Sequence, residues 1–467
     1  MHVSNPRRAQ RSRVLLASAL AAALAVLVTP NVPTASANLP VDRAQHRTKV
    51  YKVKFDPRLF GVHDYYLNSL QRAGTGSIRL WDAGVQWGDI FPTADSPNWD
   101  RLDSLVAEAH ANGTEVTLVL GLTPQYAAAN PSDPSYPTSM PDLDAWKAYV
   151  QAVMSRYSPA NWGYRGIAAY QVWNESNIST FWTGTFDQLA QLVKAVHDVR
   201  DATDPGAKIV APAMVTRLGY QQTGLRHFYQ TRVGGRPIWK FIDVISLNLY
   251  PLDVYPQSRG TRRGTPEDSM AILKAVRTIL TNQKVPSSLP IWNTEVNYGL
   301  RFGSNGGKPA APIPNALQVA YVIRTYLLNA AQGIKRVDWY AYDMSDRGGL
   351  GPIGNTLLTD PDDRAAGILL PAGRAFTRVE SWMRGGTLVG TTSQRPCAKD
   401  KHGTYTCKIT YARGGVGRVY WNPYKGAKVT LPSGSTRKVD EYGTSSRAKG
   451  GTTLKVNFRP VLVRSKR

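Results

Sequence analysis

Eight short apolar runs, separated by longer segments, occupy the chain from about residue 50 to residue 385 and constrain its fold most strongly. The runs are 59–63, 77–81, 115–121, 167–173, 208–214, 243–250, 289–295 and 336–342. Their length and composition predict buried strands, and the segments between them have helical period. This alternation predicts an α/β fold with eight parallel strands, a (β/α)8 TIM barrel. An open doubly wound sheet is the alternative, but no Gly-rich phosphate turn follows the first run.

Two of the intervening segments show how the predicted helices would pack. In 142–157 the large apolar residues fall on a single helical face, and they are Trp146, Tyr149, Val150, Val153, Met154 and Tyr157. In 185–199, Thr185 is a predicted N-cap and is followed by a similar apolar stripe. Both patterns are expected for helices that lie against a sheet.

The first 37 residues have the pattern of a secretory signal peptide. A basic start with four arginines precedes an apolar run from Val14 to Val28, and Ala35-Ser36-Ala37 is a small-residue cleavage site. An uncleaved membrane anchor is the alternative, but the run is shorter than the roughly 20 residues that a spanning helix needs. We therefore expect a secreted or wall-associated protein without stable membrane insertion, cleaved near Ala37.

The composition changes after residue 385, where short alternating runs rich in Thr, Val, Gly and Lys begin. They predict a small C-terminal β-sandwich domain over 386–467, which leaves 38–385 for the barrel. The only two cysteines, Cys397 and Cys407, are ten residues apart and predict one disulfide across a hairpin. With so few soft ligands, a zinc site is not expected.

The formal net charge is +24, and removal of the four arginines of the signal segment leaves +20. The basic residues are scattered rather than clustered with aromatic residues, which argues against a nucleic-acid partner. Retention on an anionic cell-wall polymer or acidic glycan fits the charge better. For the terminal domain two roles stay open: it covers apolar barrel surface, or it binds glycan directly through Trp421 and Tyr424.

Two of the predicted strands end in glutamate, Glu175 after the fourth and Glu295 after the seventh. In a parallel barrel the active site lies at the C-terminal ends of the strands. The 120 residues between the two correspond to three βα units, which places them across the barrel mouth. Carboxyl groups about 5 Å apart at such a site act as general acid/base and nucleophile in retaining glycosidases. Their mutual repulsion keeps one protonated and the other ionised.

Each of these residues also has a plainer interpretation. A single strand-end Glu is usually a solvated loop residue, but two at these places, each following a Trp-Asn pair, favour catalysis. Arg79, in an apolar strand, is either paired structurally or orients a catalytic carboxylate. Asn174 either caps a turn or holds a sugar 2-hydroxyl.

Two further residues are candidates for substrate contact. His63, with Asp64, ends the first predicted strand and either touches sugar or simply begins a polar loop. Trp339, on the eighth strand, is either a platform for a sugar ring or a core residue.

The chain resembles clan A of the retaining glycoside hydrolases, whose TIM barrels carry an Asn-Glu acid/base pair after strand four and a Glu nucleophile after strand seven. The stretch "VWNESNISTFWTGTFDQLAQLVKAVHDV" and the later "DPGAKIVAPA" are similar to family 39 and its family 5-like bacterial relatives. Where that branch usually has "NEPN", this chain has Asn174-Glu175-Ser176-Asn177. The resemblance covers roughly residues 55–385.

The resemblance extends to other strand ends. "SIRLWDAGVQWGDIFP" with "NWDRLDSLVAEAHANG" is similar to the second strand and helix of the clan, and it implies that Arg79 lies beside the nucleophile. Tyr250 matches the sixth-strand tyrosine that hydrogen-bonds the nucleophile. Asn248 stands where the clan commonly has a histidine.

Together these features predict a secreted glycosidase that hydrolyses O-glycosyl bonds of an oligosaccharide or polysaccharide and needs no metal or organic cofactor. The alternative is a catalytically inactive barrel that binds an exported glycan or associates with the cell wall.

Overall fold

The computed structural model describes residues 50–63, 65, 73–251, 264–298, 313–343, 357–360 and 367–466. The predicted signal peptide (1–37), Asp64 and most of the loop after the sixth strand lie outside the described residues. The chain from Thr48 onward forms one compact unit.

All eight predicted strands form one parallel sheet. They are β1 Phe60–His63, β2 Ser77–Leu80, β3 Glu115–Leu120, β4 Ala169–Val172, β5 Lys208–Val210, β6 Ile245–Asn248, β7 Ile291–Val296 and β8 Val337–Trp339. The strand order is β5-β4-β3-β2-β1-β8-β7-β6. Parallel bridges from Val210 to Val244 and from Val215 to Asn248 join the two edges. The sheet thus closes, and the predicted TIM barrel is confirmed.

The main helices surround this barrel. They are α1 Asp100–Ala111, α2 Leu143–Tyr157, α3 Phe186–Thr203, α4 Gly219–Gln230, α5 Pro266–Asn282, α6 Asn315–Ala331 and α7 Pro371–Met383. Shorter α-helical turns span Trp87–Ile90 and Pro159–Trp162, and 3₁₀ turns span Pro57–Leu59, Gln125–Ala127, Tyr136–Thr138 and Ile238–Phe241. None of the helices in the described part combines the length and hydropathy that a membrane crossing requires.

The sequence patterns account for two of these helices in detail. The six large apolar residues predicted on one face of α2 are all buried. Thr185 caps α3, since its hydroxyl accepts a hydrogen bond from the backbone N–H of Gln188 while the Gln188 side chain accepts one from the Thr185 N–H. This reciprocal capping box satisfies two N–H groups that the first helical turn leaves unpaired.

A second, antiparallel sheet follows the barrel. Its strands are β9 Gly386–Val389, β10 Ala398–Lys399, β11 Tyr405–Tyr411, β12 Val416–Trp421, β14 Ser435–Val439, β15 Ser445–Arg447 and β17 Val461–Ser465, while β13 Ala427–Thr430 pairs separately with β16 Thr453–Val456. The β13–β16 pair contributes to a small apolar core with residues of β12 and β17, which gives two layers. The strand Lys52–Lys54, from the start of the described chain, pairs with β9. The domain boundary at residue 385 stays a prediction.

Cys397 and Cys407 form a disulfide, as predicted. Strand β10, which begins just after Cys397, pairs antiparallel with β11, which carries Cys407. The bond therefore links the two arms of a hairpin.

Trp421 lies against the barrel and is fully buried, which leaves it no surface for glycan and favours the covering role of the two that the sequence left open. Its indole N–H donates to Oε1 of Glu267 on α5 over 2.8 Å. Arg324 on α6 holds the same carboxylate, with Nε donating to Oε1 over 2.9 Å and Nη2 donating to Oε2. The terminal sheet thus adds a third donor to this buried pair. We call Glu267, Arg324 and Trp421 the seam cluster.

Candidate active site

Arg79, on β2, is the centre of a buried polar cluster at the C-terminal ends of the barrel strands. It has no exposed surface, and its guanidinium donates to four side chains. Nε donates to Gln171 Oε1 over 2.7 Å, and Nη2 donates to Asn174 Oδ1 over 2.6 Å. Nη1 donates to His63 Nδ1 over 2.8 Å and to Glu295 Oε2 over 3.2 Å. One cation on β2 thus joins four side chains from β1, β4 and β7.

Glu295 lies near the end of β7, where the pairing with β6 shifts register between Asn293 and Glu295. Such a bulge re-aims a side chain. Its carboxylate receives donors on both oxygens. The Tyr250 hydroxyl lies 2.5 Å from Oε1, while Asn248 Nδ2 lies 3.4 Å and Arg79 Nη1 3.2 Å from Oε2. An ionised carboxylate accepts all of these bonds.

Glu175 follows β4 on a backbone turn in the left-handed region, with φ of 68° at Trp173 and 39° at Glu175. Residues other than glycine rarely adopt such φ values, and the surrounding contacts hold the backbone in this conformation. Asn177 is one of these contacts. Its Oδ1 accepts from the Val215 N–H over 2.9 Å, and its Nδ2 donates to the Val215 carbonyl over 2.7 Å. The second amide of the motif therefore ties the Glu175 turn to the loop after β5.

One amide nitrogen connects the two glutamates. Asn248 Nδ2 lies 2.9 Å from Glu175 Oε1 and 3.4 Å from Glu295 Oε2. The two oxygens are therefore at most 6.3 Å apart, the sum of those distances. This bound on one oxygen pair is compatible with the roughly 5–5.5 Å that separates the two carboxyl groups of retaining glycosidases.

The pKa of the Glu175 carboxyl is raised to about 7. Burial disfavours its charged form most, and the nearby negative charge of Glu295 adds to the effect. The hydrogen bond from Asn248 and the charges of Arg217 and Arg79 act in the opposite direction. Near neutral pH, Glu175 thus retains a proton that it can transfer.

His63, at the end of β1, borders the same cluster. Since Arg79 only donates, His63 Nδ1 accepts, and the ring carries its proton on Nε2 when neutral. Nε2 lies 3.5 Å from Asp82 Oδ2. The Tyr340 ring meets the imidazole edge-on at 4.7 Å, and its hydroxyl lies 3.4 Å from Asp82 Oδ2.

Trp339, on β8, has no exposed surface and packs against Tyr298 with ring centres 6.0 Å apart. Its role as a sugar platform stays a prediction.

The other five substrate-binding candidates, with both glutamates, are brought together at the mouth of the barrel. We call this group the mouth cluster: His63, Arg79, Asn174, Glu175, Asn248, Tyr250 and Glu295. Sequence reasoning missed Gln171 and Thr294, which contact it, and Ser246, which bonds to both of them. Gln171 and Ser246 are each a polar residue between two apolar neighbours, and that signal could have identified them.

Within the described ranges, no group of three or more His, Cys, Asp or Glu side chains is arranged to hold a metal ion.

A scan against protein-family models gives no match, and neither does a search of curated protein sequences. Solved structures do match over almost the whole chain. A GH39 β-xylosidase from Caulobacter crescentus has a TM-score of 0.61 at 15% identity, over 90% of this chain and 98% of its own. A glucosidase from Croceicoccus marinus also has a TM-score of 0.61, at 14% identity, over 89% and 97%.

An α-L-arabinofuranosidase from Thermotoga maritima matches with a TM-score of 0.60 at 12% identity, over 90% of this chain and 98% of its own. Similar structures also include GH30, GH44 and GH51 enzymes. At these identities the likeness establishes the fold, which is that of the clan A glycoside hydrolases.

Proposed function

We propose that this chain is a retaining glycoside hydrolase that cleaves O-glycosidic bonds of an oligosaccharide or polysaccharide by double displacement. One observation carries the proposal: a single amide nitrogen bonds both glutamates, one of which accepts donors on both oxygens while the other retains a proton near neutral pH. Glu295 is the nucleophile, and Glu175 is the acid/base.

In the first step Glu175 gives its proton to the glycosidic oxygen as the bond to the anomeric carbon breaks. A Glu295 carboxylate oxygen attacks that carbon from the opposite face. The products are the free leaving-group alcohol and a glycosyl ester of Glu295. Glu175 is now ionised, and loss of the Glu295 charge lowers its pKa.

In the second step ionised Glu175 takes a proton from water, and the resulting hydroxyl oxygen attacks the anomeric carbon. The ester bond breaks, Glu295 leaves as a carboxylate, and Glu175 is protonated again. Two inversions at one carbon give overall retention.

Other members of the mouth cluster support these steps. Arg79 and Tyr250 hold the Glu295 carboxylate in place and disperse its charge. Because Asn174 Oδ1 accepts from Arg79, its Nδ2 is directed elsewhere and can donate to a sugar 2-hydroxyl. His63 Nδ1 accepts from Arg79 and helps to hold its guanidinium, and contact of His63 with a sugar hydroxyl stays a prediction.

The stereochemistry of the first-released product tests the proposal. The full mature chain would be screened with aryl glycosides and polysaccharides, and proton NMR would follow each active substrate from the first minutes. We expect the product anomer to match the substrate anomer. An inverted anomer would contradict double displacement, and binding without released sugar would favour the glycan-binding alternative.

The leaving group separates the roles of the two glutamates. Glu175→Gln should retain the first step on a dinitrophenyl glycoside, since that leaving group needs no proton, but lose it on an alkyl glycoside. Glu295→Gln should lose the first step on both substrates. If Glu295→Gln kept the first step on the dinitrophenyl glycoside while Glu175→Gln lost it, the acid/base and nucleophile roles would be exchanged.

We also propose that the protein is exported, with cleavage near Ala37, and that its positive charge retains it on anionic wall polymer. The mature protein should begin near Asn38 by N-terminal sequencing. Its binding to anionic wall material should weaken as salt rises to about 0.5 M, because salt screens surface charge. Retention that does not depend on salt would exclude an electrostatic anchor.

A further inference from the structure

The orientation of the Asn248 amide decides how the two glutamates are held. An amide side chain can present either its NH₂ group or its oxygen to a neighbour. Here Nδ2 donates to Glu175 Oε1 over 2.9 Å and to Glu295 Oε2 over 3.4 Å. The reverse orientation would place the Asn248 oxygen against both carboxyl groups, so something must select the observed one.

The selection begins at Arg79, which has only donors. Arg79 Nε donates to Gln171 Oε1 over 2.7 Å, and this fixes the Gln171 amide with its NH₂ group on the other side. Gln171 Nε2 then donates to Ser246 Oγ over 2.6 Å. The direction of hydrogen-bond donation is thus fixed from the Arg79 guanidinium, through Gln171, to the Ser246 hydroxyl on β6.

The next two bonds carry this direction to Asn248. Ser246 Oγ already accepts from Gln171, so its own proton is directed to Thr294 Oγ1, 2.6 Å away. The Thr294 proton is then donated to Asn248 Oδ1 over 2.9 Å, a shorter bond than the 3.4 Å to its other acceptor, the Leu247 carbonyl. We call Gln171, Ser246 and Thr294 the relay. All three are fully buried, as is Asn248, so solvent does not compete for these bonds.

We propose that Asn248 is a positioning residue whose amide is oriented by the relay, and that it selects which oxygen of Glu175 carries the catalytic proton. This inference rests on the proposed function. Because an N–H from Asn248 occupies Oε1, the proton of neutral Glu175 resides on Oε2. The same amide fixes Glu295 Oε2, so one side chain sets the relative placement of acid and nucleophile.

Breaking the relay should have a specific consequence. Without a donor at its oxygen, the Asn248 amide loses the preference that aims its NH₂ group at the glutamates. The ionised form of Glu175 then loses a hydrogen bond that stabilises it, and the pKa of Glu175 rises above its value of about 7. A merely structural Thr294 would alter stability without moving this pKa.

The test is Thr294→Val in the full mature chain, which keeps the shape of the side chain but removes the donor. We expect kcat to fall roughly 10- to 100-fold with little change in KM, because a hydrogen bond to a charged group is lost. The alkaline limb of the pH–rate profile, expected near pH 7 in the wild type, should move to higher pH. Thr294→Ser should restore both values. Thr325→Val, a buried threonine on α6 outside the site, is the matched control and should change neither.

A carbon-13 titration of the glutamate carboxyls provides a readout that does not depend on turnover. The Glu175 resonance, assigned with Glu175→Gln, should titrate at higher pH in Thr294→Val than in the wild type. Should Thr294→Val fail to fold, Thr294→Ala removes the same donor to Asn248 and carries the same expectations.

The outcomes separate this inference from the proposed function. A wild-type glycosidase whose Thr294→Val variant keeps the same kcat, pH profile and Glu175 titration would overturn the relay and leave the function intact. A wild type without turnover, whose Glu175 titration still shifts in Thr294→Val, would overturn the function and support the Asn248 orientation.

Discussion

The mouth cluster and the seam cluster each bury an Arg–Glu pair, but they use it differently. In the seam cluster Arg324 binds Glu267 with two donors, Trp421 adds a third, and no second carboxyl is present in the cluster. In the mouth cluster Arg79 divides its donors among four acceptors and reaches Glu295 through one nitrogen over 3.2 Å. A second carboxyl is near, since Glu175 Oε1 lies within 6.3 Å of Glu295 Oε2.

The difference shows how one chain separates stability from reactivity. The fully paired carboxylate of Glu267 links the barrel helices to the terminal sheet. Removing one charge of the pair leaves the other buried and uncompensated. A shared, incompletely neutralised site keeps one carboxyl protonated near neutral pH, which favours chemistry at the expense of stability. The substitutions below test this contrast.

The largest effect is expected at the nucleophile. Glu295→Gln should lower kcat by roughly 10⁴-fold or more, because the attacking oxygen is lost. The melting temperature should change less than in the seam cluster, since Gln keeps the shape and the nearby Glu175 can ionise and supply a counter-charge to Arg79. Steady-state kinetics and thermal unfolding on the same preparation would check this. Full activity would remove Glu295 from the mechanism.

The matched change in the seam cluster should give the opposite pattern. Glu267→Gln leaves Arg324 buried without its counter-charge, and we expect a loss of about 3–5 kcal/mol in the free energy of unfolding. Urea unfolding would measure it. The kcat of the folded fraction should stay within about threefold of wild type, because the seam cluster does not touch the mouth. An unchanged unfolding free energy would mean that the pair contributes no net stability.

Glu175→Gln should stabilise the protein in a pH-dependent way. The folded pKa of Glu175, about 7, lies above its ordinary value of 4.5. Below pH 4.5 the Glu175 carboxyl is protonated in the folded and the unfolded protein, so it does not affect the free energy of unfolding. Above pH 7 it must ionise in the folded protein, which lowers that free energy. We expect the variant to gain on the order of 2 kcal/mol relative to wild type as pH rises from about 4 to 8. Unfolding free energies at the two pH values would test this, and an equal gain at both would contradict the raised pKa.

The smallest effect concerns the third donor of the seam cluster. Trp421→Phe keeps an aromatic ring beside Tyr405, which is stacked on Trp421 at 5.0 Å, but removes the indole N–H. We expect a loss of about 1.5 kcal/mol in unfolding free energy, since Arg324 still neutralises Glu267. Chemical denaturation would measure it, with Tyr424→Phe, an exposed position, as the control. A loss as large as that of Glu267→Gln would show that the indole, rather than the arginine, stabilises the carboxylate.

Much of the architecture was predictable because it depends on local periodicity. The eight apolar runs became the eight barrel strands, although most proved a residue or more shorter at their ends. The stripe on α2 and the Thr185 cap on α3 follow from patterns that repeat within one or two helical turns. The Cys397–Cys407 disulfide was predictable because the two residues are close in sequence.

The candidate site was only partly predictable. Strand-end position and the resemblance to clan A glycosidases indicated both glutamates, Arg79 and Tyr250. They did not indicate Gln171, Ser246 and Thr294, because each contacts a residue at least 46 positions away. The sequence left the role of Trp421 open for the same reason, since its partner Glu267 is 154 residues distant.

The sequence by itself determined the barrel, the placement of two carboxyls at its mouth and the hairpin disulfide, because these depend on periodicity, spacing and short chain separations. Only the tertiary structure decided which donors hold each carboxyl, which way the Asn248 amide points and which tryptophan is buried in the seam. Those properties arise from burial and from hydrogen bonds between distant strands, and their direction is set when a donor such as Arg79 meets its acceptors in the closed barrel.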